Sequence, residues 1–418
     1  MPFNTFYQAF FDKGNYQPYV LFESDTGQGS MFFCLKTGLT EGVGNPGWDG
    51  NMYYSQDGVN WTLWDGSPIY ASNTYSSKYQ LYIRGEGNTV VTGSDNTDHC
   101  WQVWYDGYDA EYPRMKITGN IMNLLDWQSV QAGIEPYMAP YCFSYLFYKN
   151  HFYGLNDRCL PKLPALSLSS YCYSNMFYAC EFEQVSEIIV LPATVAAQSC
   201  YRGMFSYCTG LYYAPELPAT TLASYCYAYM FDHCTSLRRA PELPAATLAT
   251  YCYQSMFENC TNLTAPPVLS STNLAPYCYQ YMFAYCDHLQ SAPALPATRL
   301  QTYCYAYMFM NCTALTTPPA LPATTLQRSC YRGMFSYCTS LIAIPAIPSR
   351  PGVQRCYSQM YWHCSQLVFS TDPSAGTYYY TGEAANAYNT DIFGYTDGGN
   401  FGNTVQGTDY YATVPLVS

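Results

Sequence analysis

Cysteine is the residue type with the greatest chemical potential in this chain, which holds 20 of them among 418 residues. From residue 200 onward the cysteines stand in pairs eight positions apart, and the pairs recur every 26 residues. Cysteines can bind zinc, form disulfides or pack as small apolar side chains. The seven residues inside each pair exceed the roughly two to four of a zinc knuckle, so we expect no metal site. The paired positions are Cys200, Cys208, Cys226, Cys234, Cys252, Cys260, Cys278, Cys286, Cys304, Cys312, Cys330, Cys338, Cys356 and Cys364.

Disulfides are disfavoured by the placement of these cysteines. Equivalent positions in stacked copies lie one strand spacing apart, about 4.8 Å, so bridges between copies are geometrically conceivable. Each cysteine would nevertheless have two equivalent neighbours and no unique partner. We therefore predict two reduced columns that form a structural core ladder. Cys34, Cys100 and Cys159 fall outside the pattern, and their pairing stays open.

Other catalytic signatures are scarce. The five histidines are scattered, and the chain has no Gly-x-Ser-x-Gly, phosphate loop or paired metal-binding histidines. Acidic groups at Asp95/Asp98 and Asp106/Asp109/Glu111 fit solvated loops better than a calcium site. We expect a protein that is not an enzyme and has no metal or cofactor. A depolymerase that uses two carboxylates of the N-terminal region remains the enzymatic alternative.

The repeat that carries the cysteines also predicts the local structure. Leu222, Cys226, Met230 and Cys234 are four positions apart and would lie along one stripe of a helix. The spacing predicts a short helix over about residues 221–231, followed by a turn, a short strand and a proline-rich return. One such copy cannot bury its apolar face alone, so the copies must stack into a solenoid with parallel strands.

The phrase Cys-Tyr-x-x-Met-Phe-x-x-Cys-Thr-x-Leu, followed by Ala-Pro-x-Leu-Pro-Ala-Thr-Thr-Leu, recurs at 200–222, 226–248 and 304–326. It resembles the BspA-like leucine-rich repeats of bacterial and phage surface proteins, over roughly residues 137–367. The resemblance implies a curved solenoid displayed on a surface, with adhesion or recognition as its usual role.

The resulting fold prediction is an α/β solenoid. It consists of a leucine-rich-repeat array of about nine coils with short helices and a parallel sheet, preceded by an N-terminal β-rich domain. The predicted domains are 1–125, an attachment domain, 126–367, the solenoid, and 368–418, a cap or tip.

Residues 1–125 alternate strand-like runs with Gly, Asn and Asp turns. The runs are 19–22, 80–83 and 89–91, and 55–62 resembles a single Asp-box hairpin. That hairpin favours a tight Asp-Gly turn beside a packed Trp over a glycosidase.

The first coils depart from the period. Cys142 to Cys172 spans 30 residues, Cys172 to Cys200 spans 28, and Asn150 stands where a second cysteine is expected. Terminal repeats are often atypical because they cap the stack. In contrast, 199–211 and 329–341 differ at one position, which indicates internal duplication.

Charge argues against some partners. The net charge is -12, with 16 acids and 9 bases in residues 1–170, 8 and 8 in 171–364, and 5 and none in 365–418. Nothing here attracts a phosphate backbone, so we expect no nucleic-acid ligand. The N-terminus lacks a secretory signal, and no stretch approaches the roughly 18 apolar residues of a membrane span. We expect a complete, soluble chain that is not exported by the general route and not inserted into a membrane.

Candidate binding residues lie three and seven positions after the first cysteine of each coil. These positions vary between coils and are aromatic or polar, whereas the core positions barely vary. Rows of Tyr, Asn and His suit sugar rings or a protein epitope, and a solvated face is the alternative interpretation. The candidates are Tyr207, Tyr229, His233, Asn259, Tyr281, Tyr285, Tyr307, Asn311, Tyr337, Trp362 and His363.

The predicted function is surface recognition without catalysis. The lack of an export signal favours a phage virion component, such as a tail, fibre or spike protein, located on the virion surface. Its partners would be a host cell-surface glycan or protein, other virion proteins through the N-terminal domain, and further copies of itself in a homo-oligomer. The alternatives are a surface adhesin of a gut-type bacterium, located extracellularly, and a purely structural virion protein.

Overall fold

The computed structural model describes residues 17–24, 33–37, 47–71, 78–94, 96–105, 115–153, 160–183, 189–342, 353 and 355–366. The chain divides into two compact units, Met1–Pro218 and Ala219–Ser418. The predicted C-terminal cap, 368–418, lies outside the described residues.

The first unit contains the described β-strands. A seven-stranded sheet has the order β10-β9-β8-β1-β6-β3-β4, and a three-stranded sheet has the order β5-β2-β7. Strand β6 alternates buried and half-buried side chains, as expected for a sheet with one face in the core. The strands are β1 Val20–Ser24, β2 Phe33–Thr37, β3 Asn51–Ser55, β4 Thr62–Leu63, β5 Ile69–Tyr70, β6 Tyr79–Glu86, β7 Trp101–Tyr105, β8 Met115–Gly119, β9 His151–Tyr153 and β10 Glu181–Glu183.

Two of the predicted runs are confirmed and one is wrong. The runs at 19–22 and 80–83 coincide with β1 and β6, but 89–91 is not a strand. The Asp49 carboxylate accepts hydrogen bonds from the backbone N–H groups of Thr89 and Val90, at 2.7 and 3.1 Å. A side chain therefore binds the N–H groups that a neighbouring strand would otherwise bind.

The sheet of the first unit continues into its repeat coils. Strand β9 pairs in parallel with β8 and with β10, while β1 pairs antiparallel with β6 and β8. The predicted domain boundary at residue 125 falls inside α1, Asn123–Gln131, in which Asp126 departs from helical geometry. Among the described residues, α1 is the only helix.

The predicted helix over 221–231 is wrong. The backbone N–H groups of this segment alternate between two kinds of partner, which an α-helix does not allow. Those of Tyr227 and Phe231 donate to the carbonyls of Cys252 and Met256 in the next coil, at 3.0 and 2.9 Å. That of Met230 closes a turn on the carbonyl of Tyr227 at 3.2 Å. The segment therefore uses half of its donors to join neighbouring coils.

The turns repeat every four residues because every fourth residue has a left-handed backbone. Tyr225, Tyr229 and His233 have φ of 59°, 59° and 58°, and equivalent residues of the other coils repeat these values. An α-helix would rotate a four-residue stripe by about 40° per step, so a strict spacing of four fits these turns better. Non-glycine residues in this region cost roughly 1–2 kcal/mol each, which the bonds between coils must offset.

The parallel arrangement of the coils is confirmed, but the predicted short strands are reduced to single bridges in the second unit. The isolated parallel bridges there are Arg239–Ala265, Thr247–Asn273, Ser291–Thr317 and Arg299–Thr325. The frequent prolines of these segments have no N–H to donate, which prevents longer ladders.

The interior of the second unit consists of side-chain columns. Ring centroids of successive tyrosines from Tyr227 to Tyr357 lie 5.8–5.9 Å apart. Those from Phe231 to Tyr361 lie 5.6–5.7 Å apart, and both columns are buried. Like residues stack because each coil repeats the conformation of its neighbour.

The β-structure of the first unit closes the open end of its coils. Within each unit the carbonyls of a coil accept bonds from the coil before, and the first coil of the chain has none before it. Val91 N–H donates to the Cys142 carbonyl at 2.9 Å, and Trp101 N–H donates to the Leu146 carbonyl at 2.7 Å. Asn150, which replaces a cysteine, donates to the Trp101 carbonyl at 2.7 Å and accepts from Val103 N–H at 3.2 Å. The first coil is therefore atypical because it binds strand β7.

Candidate functional site

The candidate binding residues share one backbone feature. All of them except Trp362 have φ between 57° and 63°. Tyr207 and Tyr285 are 42% and 37% exposed, His363 is also exposed, and the remaining candidates are half-buried. The left-handed turns therefore place the variable side chains at regular intervals on a fixed frame.

Only some of the candidates are brought together. In the second unit, the Tyr281 and Tyr307 rings stack with centroids 4.7 Å apart. Tyr337 stacks on His363 at 4.7 Å, and Trp362 lies 5.2 Å from Tyr337 and 4.8 Å from His363.

Three other candidates lie outside these two clusters. Tyr285 forms no ring pair with another candidate in the part of the chain that the structure describes, and Asn259 and Asn311 carry no ring. Tyr207 belongs to the first unit, where its ring lies 5.4 Å from that of Tyr178. In the second unit the candidates thus include two aromatic clusters.

A further aromatic column was missed by the sequence prediction. The rings of Tyr225, Tyr251, Tyr277 and Tyr303 stack with centroids 4.4, 4.4 and 5.0 Å apart, and all four are half-buried. Each directly precedes the first cysteine of its coil, so the 26-residue period was a sufficient signal. Because these rings cover each other's faces, a ligand would meet their edges and hydroxyl groups.

The phenol groups of this column differ in acidity. Burial raises the pKa of Tyr251 to about 12, reinforced by the neighbouring phenols of Tyr225 and Tyr277. At the end of the column the pKa of Tyr303 is lowered, first by the neighbouring Ser329 hydroxyl and then by the Arg332 guanidinium. The phenol at this end of the column therefore lies beside cationic groups.

The cysteines lie in the interior as free thiols. Every one of the paired positions from Cys200 to Cys364 is buried, and no disulfide joins the described cysteines. The second cysteine of a pair donates its S–H to a phenylalanine carbonyl of the preceding coil, as from Cys260 to Phe231 at 3.0 Å and from Cys286 to Phe257 at 3.2 Å. Cys100 is also buried, while Cys159 and the side chain of Cys34 lie outside the described residues.

Comparison with protein families finds one match. The model described as "BspA type Leucine rich repeat region" matches residues 170–316 and 277–380 in six copies, together half of the chain. The chain belongs to the BspA-type leucine-rich repeat family. Comparisons with curated proteins and with solved structures find no match.

Membership of the BspA-type family indicates a solenoid and an adhesion-type surface protein. No described helix is long and apolar enough to cross a membrane. No group of His, Cys, Asp and Glu suited to a metal ion occurs among the described residues. The candidate site of this BspA-type chain is the set of side chains at the left-handed turns of successive coils.

The resemblance to an Asp-box is explained by a turn. Residues 56–61 connect β3 and β4, and the Asp57 carboxylate accepts bonds from Asn60 and Val59 backbone N–H groups, which lower its pKa. The Trp61 ring packs against the Arg84 guanidinium, 3.9 Å from its centroid. These contacts are the tight Asp-Gly turn beside a packed Trp that the sequence predicts.

The left-handed positions of the BspA-type coils should discriminate sharply between substitutions. We expect Asn311→Val to lower the free energy of unfolding by about 1–2 kcal/mol, because a β-branched side chain clashes at its φ of 58°. Asn311→Gly should be neutral or stabilise by up to about 1 kcal/mol. Urea unfolding of both variants measures the difference, and equal midpoints for Val and Gly would contradict the assigned backbone.

The buried thiols should be unreactive in the native protein. Burial raises the pKa of Cys226 and Cys172 to about 12, so almost no thiolate exists at pH 8. We expect Ellman's reagent to modify at most Cys34 and Cys159 in the folded chain and all 20 cysteines in guanidinium. Rapid native modification of further cysteines, without unfolding, would be inconsistent with the two buried columns.

A titratable cluster lies at neighbouring coils of the second unit. His233 Nδ1 is 2.7 Å from Asp232 Oδ1, and the backbone of His233 bonds the Glu258 carbonyl at 2.8 Å. Burial raises the pKa of Glu258, and the negative charge of Asp232 adds to this against opposing effects of Ser255 and His233.

The folded state therefore binds the Glu258 proton more tightly than the unfolded state does. The stabilisation by protonation is complete below the ordinary glutamate pKa and is lost as the pH rises through the raised folded value. We expect Glu258→Gln to raise Tm at pH 7 and to have little effect near pH 4, with exposed Glu242→Gln as the control. A Tm difference that does not change with pH would contradict the assignment.

Proposed function

We propose that this chain recognises a host cell-surface glycan or protein through its repeats, as a tail, fibre or spike component on the virion surface. The observation that carries the proposal is the contrast between an unchanging interior and variable side chains at left-handed turns. The interior positions are mostly Cys, Tyr, Met and Phe in coil after coil, whereas the turn positions are Tyr, Ser, Gly, Gln, His, Asn, Ala, Lys or Arg. A rigid frame with interchangeable outward residues suits recognition.

The turn positions also favour binding on entropic grounds. Stacked rings, such as Tyr281 on Tyr307 and Tyr337 on His363, are already held in place before a ligand arrives. Little rotamer entropy is then lost on binding, and tyrosine offers both a ring edge and a hydroxyl group. No step of this function requires a catalytic residue, and we propose no enzymatic activity.

The N-terminal domain would attach the chain to other virion proteins. Its β7 strand and residues 91–92 bind the first coil and so close that end of the stack. This arrangement supports separate roles, in which the N-terminal domain attaches to the particle and the repeats remain available for the receptor. The coils would number about nine, and a homo-oligomer would present several such arrays.

Cell binding tests the proposal. The labelled full-length chain is added to a panel of gut-type bacteria, together with a Tyr285→Gly/Asn311→Gly/His363→Gly variant that removes side chains without straining the turns. The control replaces the exposed Thr272, Thr298 and Thr324 by Ala. We expect strain-selective binding that the triple glycine variant weakens at least tenfold and the control retains.

The same assay separates the alternatives. Periodate treatment of the cells abolishes binding if the receptor is a glycan and spares it if the receptor is a protein. Absence of binding to every strain by the folded chain would overturn the recognition role in favour of a structural one. Detection on cells but not in purified particles would identify a cellular adhesin, and release of reducing sugar would identify a hydrolase.

A further inference from the structure

The acidic residues of the repeats are confined to one part of the array, although residues 171–364 contain 8 acids and 8 bases in total. Every acidic residue of 171–364 lies at or before Asp287, and the next acid is Asp372. The interval between them contains bases and no acids, although the protein as a whole has a net charge of -12. A local excess of one sign raises the concentration of counter-charged ligands. The bases of the interval are Arg299, Arg328, Arg332, Arg350 and Arg355.

Two of these arginines lie beside the end of the half-buried tyrosine column. The positive charges of Arg332 and Arg328 act on the Tyr303 phenol, which also has the Ser329 hydroxyl as a neighbour. The Arg332 guanidinium also lies 5.8 Å from the centroid of the Tyr307 ring. Both guanidinium groups therefore lie near one phenol, next to a second aromatic ring.

These two arginines have no acidic partner within the described ranges. Neither Arg328 nor Arg332 forms an ion pair among the described residues. The Nε–H of Arg332 is buried and donates to no acceptor within the described ranges. The guanidinium groups of half-buried Arg332 and exposed Arg328 each present a planar fork of N–H groups, which suits two oxygens of an anion.

Glycine at position 333 makes this arrangement possible. Gly333 has a φ of 59°, and an added Cβ would lie 2.3 Å from the Tyr307 ring. The same phrase, Cys-Tyr-Arg-Gly-Met-Phe, occurs at 200–205, where the atom nearest to such a Cβ belongs to Asn175 instead of a tyrosine. Identical local sequences therefore have different surroundings, and only the second copy combines aromatic rings with a second arginine.

We propose that Arg328, Arg332, Tyr303 and Tyr307 form a binding site for the carboxylate or sulfate group of an acidic cell-surface polysaccharide. The inference rests on the proposed recognition function and names the chemistry of its ligand. The arginines bind the anionic group, and the hydroxyl row from Tyr225 to Tyr303 bonds the neutral sugars that follow. A nucleic acid fits less well, because its closely spaced phosphates would extend over the acidic coils before Asp287.

Direct binding to defined polymers tests this site. The full-length chain is titrated with alginate as a polyuronate, heparin as a sulfated glycan, neutral dextran and single-stranded DNA. The test variant is Arg328→Gln/Arg332→Gln. Its matched control, Arg238→Gln/Arg239→Gln, removes the same charge from exposed residues of the second unit.

We expect alginate or heparin to bind at least about tenfold more tightly than dextran, and Arg328→Gln/Arg332→Gln to reduce that affinity about tenfold or more. The control should change it less than threefold, and Arg332→Lys should restore only part of it, because an ammonium group lacks the fork. Equal losses in both double variants, equal binding of dextran, or tighter binding of DNA would overturn the proposal. Circular dichroism and Tm verify that the variants are folded.

Cell binding keeps the two proposals distinguishable. Strain-selective binding that survives Arg328→Gln/Arg332→Gln leaves the recognition function standing and overturns the anionic site. If the chain binds alginate or heparin through the arginines but binds no cell of the panel, the anionic site is supported. The proposed recognition of these bacteria is then overturned.

Discussion

Asn150→Cys, which restores the repeat consensus, is expected to lower the free energy of unfolding by about 2–5 kcal/mol. The Asn150 amide is buried and bonds both the Trp101 carbonyl and the Val103 N–H of strand β7. A thiol is too short to reach two backbone groups, and an unpaired buried group costs about 1–3 kcal/mol. Urea unfolding monitored by fluorescence measures the loss.

The reverse exchange provides the control. Cys260 lies at the equivalent position of an interior coil, where its thiol donates to the Phe231 carbonyl. Cys260→Asn should also be destabilising, since a larger amide enters a packed column with one acceptor at hand. If Asn150→Cys were as stable as the parent while Cys260→Asn was not, the cap assigned to Asn150 would be wrong.

Deletion of 252–277, one whole repeat, is expected to leave the chain folded, whereas deletion of 252–264 should abolish cooperative folding of the second unit. The longer deletion removes 26 residues and joins Tyr251 to Cys278, so each remaining coil meets an equivalent neighbour. The bonds from Tyr227 to Cys252 and from Tyr253 to Cys278 show that one coil can replace the next. The shorter deletion removes half of a coil and interrupts every column at once.

Thermal unfolding measured by circular dichroism gives the outcome for both deletions. The whole-repeat variant should keep the parent's transition within about 5 °C, since stability in such arrays is a sum of local terms. The half-repeat variant should show no comparable transition. A folded half-repeat variant would contradict the columnar packing, because the columns require each coil to meet an equivalent neighbour and half a coil cannot provide one.

The repeat period and the interior residues could be predicted from the sequence. Cys226, Met230 and Phe231 recur at every coil with little change, and a position that tolerates no variation in a stack is an interior one. The irregular first coils were also predicted to be a cap. The sequence could not show that Asn150 bonds strand β7, because that contact joins residues 49 positions apart without any local signal.

The helix prediction failed for a physical reason that concerns hydrogen-bond partners. Apolar residues spaced four positions apart fit both a helix and a series of turns. The two structures differ in the acceptors to which alternate backbone N–H groups donate. The donor of Phe231 finds its acceptor on Met256, 25 residues later, and such pairing depends on the neighbouring coil. The strand prediction for 89–91 failed for a similar reason, because the backbone N–H groups of Thr89 and Val90 donate to the Asp49 carboxylate instead of to a neighbouring strand.

The candidate binding residues were chosen by their position in the repeat, and their arrangement could not be predicted from the sequence. The left-handed conformation of Tyr229, Tyr281 and their equivalents could not be read from residue type, since Tyr, His, Ser and Asn all occur there. The stacking of Tyr281 on Tyr307 depends on the vertical alignment of the coils, as does the approach of Arg332 to Tyr307.

The sequence by itself determined the 26-residue period, the membership of the interior and the stacking of similar copies, because these require only that equivalent residues repeat. Only the tertiary structure decided the backbone of each coil, the contacts of the first coil with strand β7 and the aromatic clusters. Their stabilising bonds and ring contacts join different coils or strands, so no short stretch of sequence contains both partners.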